Sequence, residues 1–201
     1  MRTHGWAGAR PTSDAEAVDR ILEAARSAIE RGIEPGIADI ARTLGVTRQT
    51  VYRYFPGTEA LLEAAAVRAA GDFLDRLATD LAGISDPATA VVEGIALTLE
   101  RLPLEPQVAL LMTPGRRSGL AAGVTSSIAR DFGRSILDRF DVDWAAAGFD
   151  DGSRDELVEM MLRTLQSFII DPGEPARDGE DMRRYLRCWV APALEPGRVR
   201  P

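Results

Sequence analysis

The chain has 201 residues, a net charge of −7, one cysteine and one histidine, and all 24 of its basic residues are arginine. That length supports one sizeable core or two small ones, while a lone cysteine excludes an internal disulfide and, with a lone histidine, the usual zinc ligand sets. No apolar run approaches the ~18 residues of a membrane helix, and the first dozen residues lack the apolar core of a signal peptide, so the expected location is the cytoplasm.

The pattern is helical throughout, with none of the alternation or turn chemistry of hairpins, so the expected fold is all-α. Residues 1–12, including His4, read as a flexible tail, and a histidine there is not held as a Ser-His-Asp or Cys-His mechanism requires. Ser13 followed by Glu16 is a capping-box start, after which Val18, Ile21, Leu22, Ala25 and Ile29 mark one helical face. A short helix at 37–44 is stopped by Gly45, and a third begins after Thr47 and ends before Pro56. A long fourth helix, about 58–81, carries the stripe Leu62, Ala66, Ala69, Phe73, Leu77 and Leu81. Asp86-Pro87 opens a fifth as cap and first-turn proline, with Val91, Ile95, Leu99 and Leu102 inward.

Pro103 and Pro106 break the chain before a short apolar helix at 108–112. Leu120, Val124, Ile128, Phe132, Ile136 and Phe140 predict a long helix through residue 140. The segment 141–153 reads as irregular, with Trp144 and Phe149 exposed. Residues 157–170 are apolar on nearly every side, and Asp171-Pro172-Gly173 stops them. The last helix carries Met182, Tyr185, Leu186, Trp189, Val190 and Ala193, with Cys188 expected as a half-buried structural thiol. Residues 196–201 form a tail.

Charge is unevenly spread. Residues 1–56 hold 8 Arg against 7 Asp or Glu, whereas the rest hold 16 against 24. The stretch IARTLGVTRQTVYRYF (40–55) has three arginines, two tyrosines and no carboxylate. It satisfies the demands of a helix-turn-helix. Ala41 is small enough for two helices to touch, Gly45 tolerates the left-handed backbone of the turn, and Ile40, Leu44, Val46 and Val51 pin both helices. Thr47 caps the second helix. Arg48, Gln49, Thr50, Tyr52 and Arg53 then point outward as hydrogen-bond donors without negative charge, as a helix entering a major groove requires. A helix-turn-helix used only for packing has no need of so clean a donor face.

GIADIARTLGVTRQTVYRYFPGTEALL resembles the DNA-binding signature of the tetracycline-repressor (TetR) family of bacterial transcription regulators. In that family an I-A, a G-V and a Y-x-Y/H-F recur before a fourth helix opening with K-E-x-L. LRTLQSFIIDP is similar in layout to the family's penultimate helix, with Arg163, Ser167 and Pro172 in matching places. The resemblance implies about nine helices, a DNA-binding domain at 13–57, an effector-binding and dimerisation domain at 58–195, a homodimer, an operator in double-stranded DNA and a small-molecule effector. The sequence has no Gly-rich phosphate loop and no catalytic triad, so no cofactor and no catalytic residue are expected. The chain departs from the family at Gly36, often threonine, and at Thr58, usually lysine; both positions tend to touch phosphates. Gly36 offers only backbone N–H and Thr58 only a hydroxyl, so a weaker backbone clamp is expected. Arg2 and Arg10 in the tail are candidates to offset it in a minor groove; the alternative is a disordered tail with incidental arginines.

A helix apolar all round must be covered all round. Leu165, Phe168 and Ile169, with Tyr185 and Trp189 one turn apart on the last helix, are the candidate dimer interface; the alternative is burial inside one protomer. Met112, Phe132, Trp144, Phe149, Met160 and Met161 suit an adaptable apolar pocket, or plain core. The expected function is a ligand-responsive repressor. Two rivals are a helical adaptor with weakened DNA affinity and an enzyme holding a cation on Asp150, Asp151, Asp155, Glu156 and Glu159.

Overall fold

A computed structural model describes residues 5–6, 8–106, 108 and 127–195. Eight α-helices and two 3₁₀ turns account for the regular structure of these residues, and no strand occurs among them. They fall into two compact units divided between Gly71 and Asp72, with Pro106 and Val108 grouped with the first.

In the first unit, α1 (Asp14–Glu30), α2 (Ile37–Leu44), α3 (Arg48–Tyr52) and the start of α4 (Thr58–Asp80) surround one core of Ile21, Ile40, Leu44, Val51, Phe55 and Leu61. Ser13 caps α1 by accepting from the Glu16 N–H at 3.1 Å. The return half of the box is shifted by one residue. The Glu16 carboxylate accepts from the backbone N–H and the hydroxyl of Thr12, not from Ser13 N–H. With Arg20 alongside, those bonds lower the Glu16 pKa from 4.5 to about 2, the Thr12 N–H contributing most. The expected α4 stripe is all buried, from Leu62 to Leu81.

In the second unit, α5 (Pro87–Arg101) starts at Asp86, whose carboxylate accepts from Thr89 N–H at 2.8 Å and from its hydroxyl at 2.7 Å. It packs against α7 (Asp151–Ile170) and α8 (Gly179–Trp189), while α6 (Ser127–Leu137) packs on α7. Gly133 is the point of closest approach of α6 to α7: a Cβ there would lie 2.4 Å from Val158 Cγ1. Arg183 on α8 ties to α5 through Glu93 at 2.7 Å and Glu100 at 2.5 Å. The expected short helix at 108–112, the start of the helix expected from 120 and the tail 196–201 lie outside the described residues, apart from Val108, which is buried.

Three expectations are corrected. The helix expected to run through Phe140 ends at Leu137. The backbone then turns through Arg139 N–H to Ile136 O and Phe140 N–H to Leu137 O, which still delivers Phe140 to the core. Trp144 and Phe149, read as exposed, are 6% and 5% exposed. Successive turns roll 141–149 into a knot in which Trp144 Nε1 donates to Leu137 O at 3.0 Å and the two rings meet edge to face at 5.3 Å. Cys188, read as half-buried, is exposed, because the buried side of α8 is set by Met182 and Leu186.

Candidate nucleic-acid interface

The turn between α2 and α3 forms as its residues require. Gly45 takes φ 66°, ψ 31°, the left-handed region that favours glycine. Val46 N–H donates to Ala41 O at 2.9 Å, closing the end of α2. Ala41 is buried, and Val51, 0% exposed, pins α3 to the core. Thr47 caps α3, accepting from Thr50 N–H at 3.1 Å, and its hydroxyl pairs with the Thr50 hydroxyl at 2.9 Å. With one side of α3 fixed by Val51, helical geometry turns the others out. Arg48, Gln49 and Arg53 are exposed, Tyr52 is 51% exposed and Thr50 is half-buried. No residue of α3 is acidic.

Two expected contributors are already engaged. The Gly36 N–H, the only donor left there once the family's threonine is missing, gives its hydrogen bond to Asp39 Oδ2 at 3.1 Å. This bond is the main reason the Asp39 pKa lies below its ordinary value, with Arg42 next and a weaker pull from Arg48. Gly36 therefore caps α2 from its own backbone. A Cβ on Gly36 would stand 3.8 Å from Thr58 Oγ1, so the two departures from the family pattern are neighbours. Arg53 follows the last turn of α3 and lies 4.6 Å from the Tyr54 ring centroid and 3.6 Å from Asp14 Oδ1. Tyr54 OH also donates to Asp14, at 2.8 Å.

Sequence reasoning missed Trp6, Tyr54 and Asp14 as parts of this surface. Trp6 N–H donates to Leu44 O at 2.5 Å, and its ring meets Tyr54 edge to face at 6.4 Å. Arg20 donates to Trp6 O at 3.2 Å and also to Ala9 O. The described part of the expected loose tail is thus bonded to the first unit. A large aromatic in an otherwise polar leader was the available signal. The Asp14–Tyr54 bond, spanning forty residues, left none.

The other candidates stand apart from this surface in sequence. Met112 lies outside the described residues. Met161 is buried with Trp144 and Phe149, and Phe132 and Met160 are half-buried. Leu165, Phe168, Ile169 and Tyr185 are half-buried, Phe168 meeting Tyr185 edge to face at 5.6 Å. Trp189 and Ile170 are 71% and 70% exposed. Four of the five acidic candidates are committed locally: Asp150 caps α7, Asp151 and Asp155 face Arg134 at 3.2 Å, and Glu159 holds Arg163, while Glu156 is exposed. No group of three or more potential metal ligands occurs among the described residues, and none of their helices is long and apolar enough to cross a membrane.

Comparisons with known proteins bear on the same segment and on the whole chain. The family model described as bacterial regulatory proteins, tetR family, matches residues 21–65. Over 200 residues, 95% of this chain and 91% of the relative, the sequence is 30% identical to an uncharacterised HTH-type transcriptional regulator of Mycobacterium tuberculosis H37Rv. It is 25% identical over 155 residues, 75% of this chain and 72% of the other, to the HTH-type transcriptional regulator AlkX of the same strain. The fold is similar to that of the TetR family repressor AlkX from Dietzia, implicated in biodegradation of n-alkanes. There the TM-score is 0.61 at 18% identity, covering 92% of this chain and 97% of that one. It is also similar to the fatty acid degradation regulator FadR of Bacillus halodurans, with a TM-score of 0.52 at 16% identity, covering 95% and 100%.

Proposed function

Because this chain belongs to the tetR family of bacterial regulatory proteins, we propose that it is a dimeric repressor whose two copies of α3 read a pseudo-palindromic duplex. The observation that carries the reading is the outward side of α3. Arg48 and Gln49 are exposed on a helix fixed from behind by Val51 and free of carboxylates. Arg pairs with guanine and Gln with adenine in a major groove; Thr47, Thr50 and Tyr52 suit phosphates. Arg53 reaches phosphate by exchanging its exposed contacts with Asp14 and the Tyr54 hydroxyl, the ion pair costing little to break.

Pairing is supported by α7 and α8. The only buried residues of α7 are Leu157, Val158 and Met161, while Leu165, Phe168 and Ile169 stay half-buried and Ile170 and Trp189 are open to solvent. A second copy covers this surface and presents two recognition helices to one duplex. The effector is an apolar or amphipathic molecule received among the helices of the second unit, where half-buried Phe132 and Met160 offer adaptable contacts. Effector and DNA then oppose each other by a coupling of about 1–3 kcal/mol.

The test is a gel shift of the full chain against the DNA flanking its own gene, with footprinting of any complex. The expected result is a salt-dependent complex of a dimer on a near-palindrome. Arg48→Ala loses about 1–3 kcal/mol and relaxes preference at one position of each half-site. Unchanged binding by Arg48→Ala and Gln49→Ala would refute α3 as the reading element.

A further inference from the structure

We propose that the segment around Trp6 and Arg10 is a strap, pinned by Trp6, that adds a contact to the phosphodiester backbone beside the recognition helix. The inference rests on the DNA-binding reading above and extends the surface beyond α3.

Three observations converge. First, the strap is anchored, not merely adjacent. Trp6 N–H donates to Leu44 O, the Trp6 ring packs on Tyr54 at the edge of the first core, and Arg20 holds the carbonyls of Trp6 and Ala9. Gly5 lies so close to the turn that a Cβ on it would stand 2.8 Å from Gly45 O. Second, the anchored strap and the turn flank one open hollow, lined by Trp6, Arg10, Gly45, Thr47 and Thr50 among others. Two of those side chains carry hydroxyls at the start of the reading helix, and exposed Arg10 brings a guanidinium to the same lining. Third, Arg10 is uncommitted. Arg20, Arg26, Arg42, Arg53 and Arg68 of the same unit each face a carboxylate, at Glu16, Glu23, Asp39, Asp14 and Asp19. Arg10, like Arg48 on the reading surface, has no ion pair among the described residues. A hollow lined by a free guanidinium and by a hydroxyl pair that keeps one proton to give suits a single phosphate, which accepts from the guanidinium and from that remaining O–H.

The strap also makes up for what the other edge of the motif lacks. The Gly36 N–H is spent on Asp39 and Thr58 offers no charge. Arg10 supplies one cation per protomer, held in place by Trp6, which acts as a positioning residue.

The experiment measures binding of the full chain, by fluorescence anisotropy at several salt concentrations, to a duplex that the native chain itself selects from a random-sequence pool. Arg10→Ala is expected to weaken binding to every duplex alike. It makes the slope of log K against log salt shallower by about two per dimer, one phosphate contact per protomer. Trp6→Ala gives the same change with Arg10 intact, and Trp6→Phe restores the native slope. If Arg10→Ala keeps the native slope while Arg48→Ala still loses preference, the strap proposal falls and the DNA-binding reading stands. A slope changed by Arg10→Ala but not by Trp6→Ala overturns the anchoring role. A native chain that selects no duplex overturns both readings. Should Trp6→Ala fail to fold, the exposed Arg10→Ala substitution decides.

Discussion

Two arginine-bearing surfaces of this molecule treat the same side chain in opposite ways. On α3, Arg48 is exposed without an ion pair among the described residues, on a helix with no carboxylate. Between α6 and α7, Arg134 meets Asp151 and Asp155 at 3.2 Å, and Arg154 pairs with Asp138. A guanidinium matched by carboxylates closes a surface to polyanions and holds helices in register. An unmatched one leaves the protein a charge whose partner must come from outside. The lesson is that a net charge of −7 says little about what a protein binds; the distribution of unanswered cations says more.

Erasing the contrast has the largest expected effect. Gln49→Glu puts a carboxylate on the open surface of α3. DNA affinity should fall by about 2–4 kcal/mol, roughly a hundredfold, because a like charge then faces the duplex. Thermal stability should stay within ~0.5 kcal/mol of the native chain, since the residue is exposed. Parallel binding isotherms and melts check both halves. A Gln49→Glu variant that binds as tightly as the native chain breaks the comparison.

The second unit should answer to packing instead. Gly133→Ala drives a methyl into Val158 and is expected to cost about 1–3 kcal/mol, read as a lower melting temperature. Adding Val158→Ala makes room and should recover part of the loss, whereas independent sites would simply add. No recovery places the tight approach of α6 and α7 elsewhere.

The smallest effect is a titration. The Glu16 pKa is depressed from 4.5 to about 2 in the folded chain. Its contribution to stability is therefore complete above 4.5 and is lost as pH falls toward 2. The stability difference between the native chain and Glu16→Gln should be near zero at pH 2, grow through this window and level off above it. A difference that ignores pH there would assign the role of Glu16 to packing.

Most of the first unit was legible because its determinants are local. Ser13, Gly45 and Thr47 act within four residues of themselves, and the stripe through Leu62, Ala66 and Ala69 needs only helical periodicity. What escaped depends on partners distant in sequence. The Asp14 bond to Tyr54 and the docking of Trp6 on Leu44 draw together segments that give no local sign of each other. Trp144 and Phe149 looked exposed because turn-forming neighbours surround them, and only the folded knot shows the rings covered. Asp39 claiming the Gly36 N–H is a short-range event, but a family pattern that marks position 36 by its side chain carries no sign of a backbone N–H taken by the carboxylate three residues on.

The three indoles of this chain sit in three different surroundings: Trp6 half-covered on the first core, Trp144 enclosed, and Trp189 71% exposed. They form a ready-made optical probe set. Collisional quenchers reach Trp189 freely and Trp144 hardly at all, so the emission of single-tryptophan variants would report separately on the proposed pairing of subunits, on the integrity of the aromatic knot and on detachment of the leading segment.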